Sequence, residues 1–281
     1  MCLKISNVLP RFKKSLKQSV LSGMLMLVAS GAGAADLNVC AGKDELPFSS
    51  QNQEGFENEI AKVIAGAMGR NINFVWWPDA RYVVRDFLDT KKCDVMLGVD
   101  ESDPRVLKTG SYYKSGYVFI SRADRNIDIS SWDDPILKER NFRIGVLPDS
   151  PGKNLLLQIN RYDDMFDYFA ELTNYESTRN KYIRISPKKL IDDVESKHLH
   201  AAMLWGPEAG RYVRDAKIPL RMQLIDDTVK KPNGQKLPMH YQVFMGVRKD
   251  DAALKQQLDD AIKSKQKEIE AILKKEGIPL L

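Results

Sequence analysis

The residues of this chain that could bind or react are grouped by position rather than by catalytic motif. Phe48, Trp76, Trp77, Arg81 and Trp205 each stand just past a short apolar stretch that reads as a strand. Open α/β sheets hold ligands at the carboxyl ends of their strands, so these residues are candidate walls of a cleft. Successive strand residues face opposite sides, so only one of Trp76 and Trp77 can line it; Trp77, beside the Pro78 turn, is the candidate. The competing role for these aromatics is core or hinge packing. Arg81 or Arg105 could fork an anionic group. Either could instead form a plain surface pair with Asp100, Asp103 or Glu57.

Catalysis finds little support. His198, His200 and His240 are scattered, and none has the spacing of a metal site such as H-E-x-x-H. The chain has no C-x-x-C-H haem site, no G-x-S-x-G elbow and no phosphate-cradling P-loop. No cofactor or metal site is expected. The lysines of the final segment, Lys263 to Lys275, read as a solvated helix face.

The ends and the charge balance narrow the class. Lys4, Arg11, Lys13, Lys14 and Lys17 precede the apolar run Val20 to Ala29 and the small-residue site Ala32-Gly33-Ala34. This is the pattern of a secretory signal peptide over residues 1–34, and the run is shorter than the ~20 residues of a membrane span. The whole chain holds 43 basic and 38 acidic residues, net +5. Loss of the five leader cations brings the two into balance, which removes any global field for nucleic acid. Cys2 leaves with the leader. Cys40 and Cys93 remain, an even pair in an exported protein, which suggests a disulfide. Cys40 ends its strand whereas Cys93 begins another. A register offset of several residues at ~3.3 Å each exceeds the ~7 Å Cα limit of a disulfide, so two free thiols stay open.

The elements that must position these residues alternate. Strands are expected at Leu37–Ala41, Asn71–Trp77, Asp94–Val99 and Tyr117–Ser121. Between them lie a helix with Phe56, Ile60, Val63, Ile64 and Ala67 on one face, and a short stripe of Val83, Val84, Phe87 and Leu88. Strands alternating with helices imply parallel pairing and three-layer lobes. The scheme repeats with strands at Phe142–Leu147, Tyr182–Ile185 and Ala201–Trp205. Ser186 and Pro187 are suited to cap and open a helix. A last strand near Tyr241–Val247 and a long helix then return to the first lobe. The expected division is lobe 1 at 35–122 and 238–281 and lobe 2 at 123–237, with hinges near Ser121–Asp124 and Asp226–Pro238.

At this level the chain resembles periplasmic solute-binding proteins of the amino-acid type, over nearly all of its mature length. Within that group, Val39-Cys40-Ala41, Leu46-Pro47-Phe48, Gly55-Phe56-Glu57-Asn58, Trp76-Trp77-Pro78, the run Cys93 to Val99, Tyr112-Tyr113-Lys114-Ser115, Tyr117-Val118-Phe119 and Trp205-Gly206-Pro207 are similar to the J protein of methanol-oxidation clusters. The resemblance implies a bilobal, type II periplasmic-binding-protein-like α/β fold in the periplasm. It also implies a quinoprotein methanol dehydrogenase, with its cytochrome c, as partner.

Two departures matter. Amino-acid binders place Ser/Thr-x-x-Arg after the third strand as a carboxylate clamp. Ser102-Asp103-Pro104-Arg105 keeps that spacing, but Asp100, Glu101 and Asp103 crowd it. The lobe 2 acid that receives an α-amino group is expected near Trp205-Gly206, and none stands there. The second departure is the long segment 160–182, with Tyr162, Phe166, Tyr168, Phe169 and Tyr175 among acidic residues. Aromatics among charges suit a partner-docking surface; an extra helix packing these rings on lobe 2 is the alternative. The expected function is a non-enzymatic accessory that assists assembly, maturation or electron-transfer partnering of the dehydrogenase. The alternatives are a transporter's receptor for a small organic acid or amino acid and, more remotely, an enzyme on this scaffold such as a dehydratase.

Overall fold

The computed structural model describes residues 35–281 except 149, 178, 180 and 232, so the expected leader lies outside the described residues. The chain runs β1 (Leu37–Gly42), the small ribbon β2 (Asp44–Glu45) and β3 (Ser49–Ser50), α1 (Phe56–Ala67), β4 (Ile72–Trp77), β5 (Val95–Asp100), β6 (Leu107–Lys108) and β7 (Tyr113–Arg122). It continues through β8 (Ile144–Val146), α2 (Gly152–Gln158), α3 (Tyr162–Leu172), α4 (Pro187–Glu195), β9 (Ala201–Trp205), α5 (Gly206–Arg214), β10 (Leu220–Leu224), β11 (His240–Val247) and α6 (Ala252–Lys275). Among the described residues no helix is long and apolar enough to cross a membrane.

Lobe 1 is a sheet in the order β4-β1-β5-β11-β7, its first three strands parallel. The period-2 pattern of each strand feeds two cores. Leu37, Val39, Val95 and Leu97 point to α1 and α6, whereas Cys40 faces Val83, Val84, Leu88 and Cys93. Val99 would share the α1 side by parity, yet it lies in the second core. The cause is Gly98, whose φ of +70° in β5, opposite an irregularity in β11, reverses the alternation. Lobe 2 is the sheet β10-β7-β9-β8. Phe119, Ala201 and Met203 meet α2, and Val118, Ile120, Ala202 and Leu204 meet α4 and α5.

β7 belongs to both sheets. Tyr113 to Gly116 pair with β11, and Tyr117 to Ser121 pair with β9. The strand is continuous, and its change of pairing partner falls at Gly116–Tyr117. We propose that the lobes divide at that change of partners and at Met239–His240 on the return. The C-terminal tail adds a further tie. Arg211 of α5 meets Glu276 at 2.6 Å, and Gly210 and Gly277 lie backbone to backbone, with no room for a Cβ.

The Cys40–Cys93 disulfide forms, with Cα atoms 5.4 Å apart. The register objection fails because Cys93 is not in strand line. Val84–Leu88 winds as a wide π turn, and the amides of Lys92 and Cys93 both return to Phe87 O. This brings Cys93 over the sheet face beneath Cys40. The expected strand at Tyr182–Ile185 does not form, because that segment leaves lobe 2 to reach lobe 1. Residues 162–172 are helical as α3. β10 had no distinct sequence signal, since Leu220-Arg221-Met222-Gln223-Leu224 is half-buried throughout.

Candidate functional site

The lobes enclose a cleft of about 810 Å³, and the ends of β5, β7, β9 and β11 carry its walls. Phe48 is held by the start of α1. The amides of Phe56 and Glu57 donate to Pro47 O and Phe48 O at 3.1 and 2.9 Å. A Cβ on Gly55 would collide with the Phe48 backbone, so only glycine lets the loop close on the helix. The remaining cap is Asn58, whose Oδ1 accepts from Ser50 N and Gly55 N. The first amides of α1 are thus committed within the chain. The Phe48 ring rests on Phe56, with centroids 5.2 Å apart.

Trp205 ends β9 and caps α5. Gly206 follows because a Cβ there would strike Pro279 and Gly116 O. Trp205, Tyr117 and Tyr241 form one aromatic wall, with centroid separations of 5.3, 5.8 and 6.2 Å. Tyr117 sits where β7 changes sheets, so this wall and the crossing are built from the same strand.

The electrostatics of the cleft are one-sided. Asp100, Glu101 and Glu208 line it, and no lysine or arginine does so among the described residues. His240 is the one other lining base, and its Nε2 donates to Ile225 O at 2.9 Å. Burial pushes Glu208 up to about 7. Glu57, in the first turn of α1, is pushed up to about 8 by burial; the Tyr112 hydroxyl partly offsets this and the charge of Glu45 adds to it. Its Oε1 is buried without a hydrogen bond and lies 2.7 Å from where a Cβ on Gly98 would stand, so glycine leaves the carboxyl its space.

Phe48 and Trp205 therefore line the cleft, whereas Trp77, Arg81 and Arg105 lie outside its lining. Trp77 packs into the disulfide core, and Trp76 stacks on Phe74 with centroids 5.3 Å apart, so neither indole turns inward. Arg81 is paired with Asp79 at 2.6 Å and lies over Tyr82 and Tyr182. Arg105 is paired with Asp103 at 2.7 Å and borders a separate concavity with Arg85, Lys91 and Arg248. The local pairs won because each arginine has an aspartate two residues before it. Sequence reasoning missed Glu208. The available signal was Trp205-Gly206-Pro207 itself, since a helix opening there turns its first acidic residue toward the strand end.

The long segment divides by residue. Tyr168 is buried, at 7% exposure, and donates to Asp193 at 2.8 Å. Phe169 packs on the lobe 2 core. Tyr162 and Tyr175 are exposed, at 42% and 80%. The Phe166 side chain lies outside what is described. Tyr182 and Arg184 cross to lobe 1, where Glu45 accepts from them at 2.7 and 3.2 Å, and Arg184 also donates to Leu46 O. No cluster of three or more metal-ligating side chains occurs among the described residues.

Comparison with known proteins places this architecture. Residues 37–276 match the model of bacterial extracellular solute-binding proteins, family 3. Protein MoxJ of Methylorubrum extorquens is 43% identical over 90% of this chain and 84% of its own length. Protein MoxJ of Paracoccus denitrificans is 39% identical over 89% and 91%. The crystal structure of MxaJ from Methlophaga aminisulfidivorans MPT superposes with a TM-score of 0.82 at 40% identity, covering 87% of this chain and all of that one. The chain belongs to family 3 of the bacterial extracellular solute-binding proteins, and within it to the MoxJ-type proteins.

Proposed function

We propose that this protein is a periplasmic, non-enzymatic accessory of methanol oxidation. It assists assembly, maturation or electron-transfer partnering of a quinoprotein methanol dehydrogenase through protein–protein contacts. The observation that carries the reading is the cleft wall. A receptor for an organic acid or amino acid needs a cation for the carboxylate, and Asp100, Glu101 and Glu208 stand there without a lining lysine or arginine. The similarity to MoxJ and MxaJ proteins supports the methanol-oxidation setting. The exposed rings of Tyr162 and Tyr175 are the docking candidates.

Capture from the periplasm of the native host tests this. The tagged protein should retain the dehydrogenase, and the Tyr162→Ala/Tyr175→Ala double variant should retain much less with an unchanged melting temperature. Recovery of transporter membrane subunits without dehydrogenase would overturn the reading and favour a solute receptor.

A further inference from the structure

The cleft remains a built cavity of ligand size, and what it could hold is readable from its walls. Three features converge. The first is aromatic: Tyr117, Trp205 and Tyr241 meet one another along one side, with Phe48 and Tyr113 adjoining. The faces of such rings carry negative electrostatic potential and attract cations within ~6 Å. The second is charge: Asp100, Glu101 and Glu208 line the cavity. The third is the lack of a competing cation among the described lining residues. Arg184, whose charge reaches Glu208, is engaged by Glu45 and Leu46 O. Arg81 and Arg105 are held by Asp79 and Asp103 outside the cleft.

Chemistry then selects among cations. Ca2+ or Mg2+ wants about six converging oxygens and Zn2+ about four nitrogen, sulfur or oxygen ligands; no cluster of three or more metal-ligating side chains occurs among the described residues. A zwitterionic amino acid would set its carboxylate against Asp100 and Glu101. We propose that the cleft is a site for an alkylammonium group without a carboxylate, seated on the Tyr117–Trp205–Tyr241 wall with Glu208 and Asp100 as counter-charges. The same chemistry could arrive as a free small amine or as a lysine side chain of a bound protein. The proposal goes beyond the partnership above and does not depend on it. Lost dehydrogenase capture with intact ammonium binding would defeat only that reading.

Calorimetric titration of the full mature protein tests it, with tetramethylammonium, n-butylammonium and Nα-acetyl-lysine N-methylamide as probes and n-butyrate and glycine as controls. The cations should bind saturably and the controls should not. Glu208→Gln, which keeps shape and removes charge, and Tyr241→Leu should each weaken the cations about tenfold or more. Trp205→Phe should keep most of the affinity. Equal binding of n-butylammonium and the lysine amide supports a free amine, and tighter binding of the lysine amide supports a protein-borne lysine; both uphold the site. If Glu208→Gln does not fold, Tyr241→Leu carries the comparison. The proposal is overturned if no cation binds the wild-type protein, if butyrate binds as well as butylammonium, or if folded variants bind cations unchanged.

Discussion

Substituting Glu57 by glutamine should change how stability depends on pH. The carboxyl is held near 8 in the folded protein against 4.5 for an ordinary glutamate, chiefly by burial. Between those values the folded state keeps the proton and the unfolded chain has lost it. Stability must therefore fall as pH rises, by about 1.4 kcal/mol per pH unit. The loss is complete above about 8 and absent below 4.5. From pH 4.5 to 7 it amounts to about 3 kcal/mol, or about 6–12 °C of melting temperature for a chain of this size. A neutral amide of the same shape escapes this penalty. Glu57→Gln should match the wild type, or fall slightly below it, at pH 4.5 and exceed it by about 3–4 kcal/mol at pH 8. Urea denaturation at half-unit steps from pH 4.5 to 8.5 reads the difference directly. Glu208, held near 7 by its own burial, leaves a smaller residual slope in the variant. Parallel stability curves for wild type and Glu57→Gln would refute the reasoning.

Removing the Cys40–Cys93 bond opens a loop with a sequence separation of 53. The Cys40→Ser/Cys93→Ser variant should lose about 4 kcal/mol of unfolding free energy in urea; an unchanged midpoint would contradict it. Arg184→Ala cuts the bridge from the Tyr182–Ile185 segment to Glu45 and Leu46. It should cost about 1 kcal/mol or less while increasing the radius of gyration in small-angle scattering, and an unaltered scattering profile would argue against a lobe-spanning tie. Gly98→Ala should cost about 2 kcal/mol or more, because φ is +70° and the new methyl meets the Glu57 carboxyl. A melting temperature equal to wild type would remove the stated reason for that glycine.

Strand and helix alternation was legible wherever apolar periodicity was strong. β1, β4, β5, β9 and the stripes of α1 and α6 follow from residues such as Val39, Val95 and Ile60, whose spacing matches their burial. The Cys93 placement was not legible, because a π turn over Val84–Leu88 has the same apolar spacing as an α-turn. Tyr182–Ile185 read as a strand because its composition suits one, yet Tyr182 and Arg184 have their partners more than a hundred residues away. The cleft was legible through Phe48 and Trp205, which follow strands directly. Tyr117 and Tyr241 looked like ordinary strand residues; only the meeting of β7 with β11 and β9 makes them a wall. Trp77, Arg81 and Arg105 misled because position past a strand does not fix which way a side chain turns.

The strand shared by both sheets has a mechanical consequence. Many two-lobed molecules open like a door, on loops that pivot without breaking anything. Here β7 is laced into one sheet up to Gly116 and into the other from Tyr117, so any opening must wring a strand that is hydrogen-bonded on both sides of the twist. The molecule works as a torsion bar: resistance grows with angle, and the C-terminal tail bridging Ser115 to Leu280 stiffens the bar near its midpoint. Because Tyr117 is the first residue of β7 laced into the second sheet, whatever presses on that ring also loads the spring.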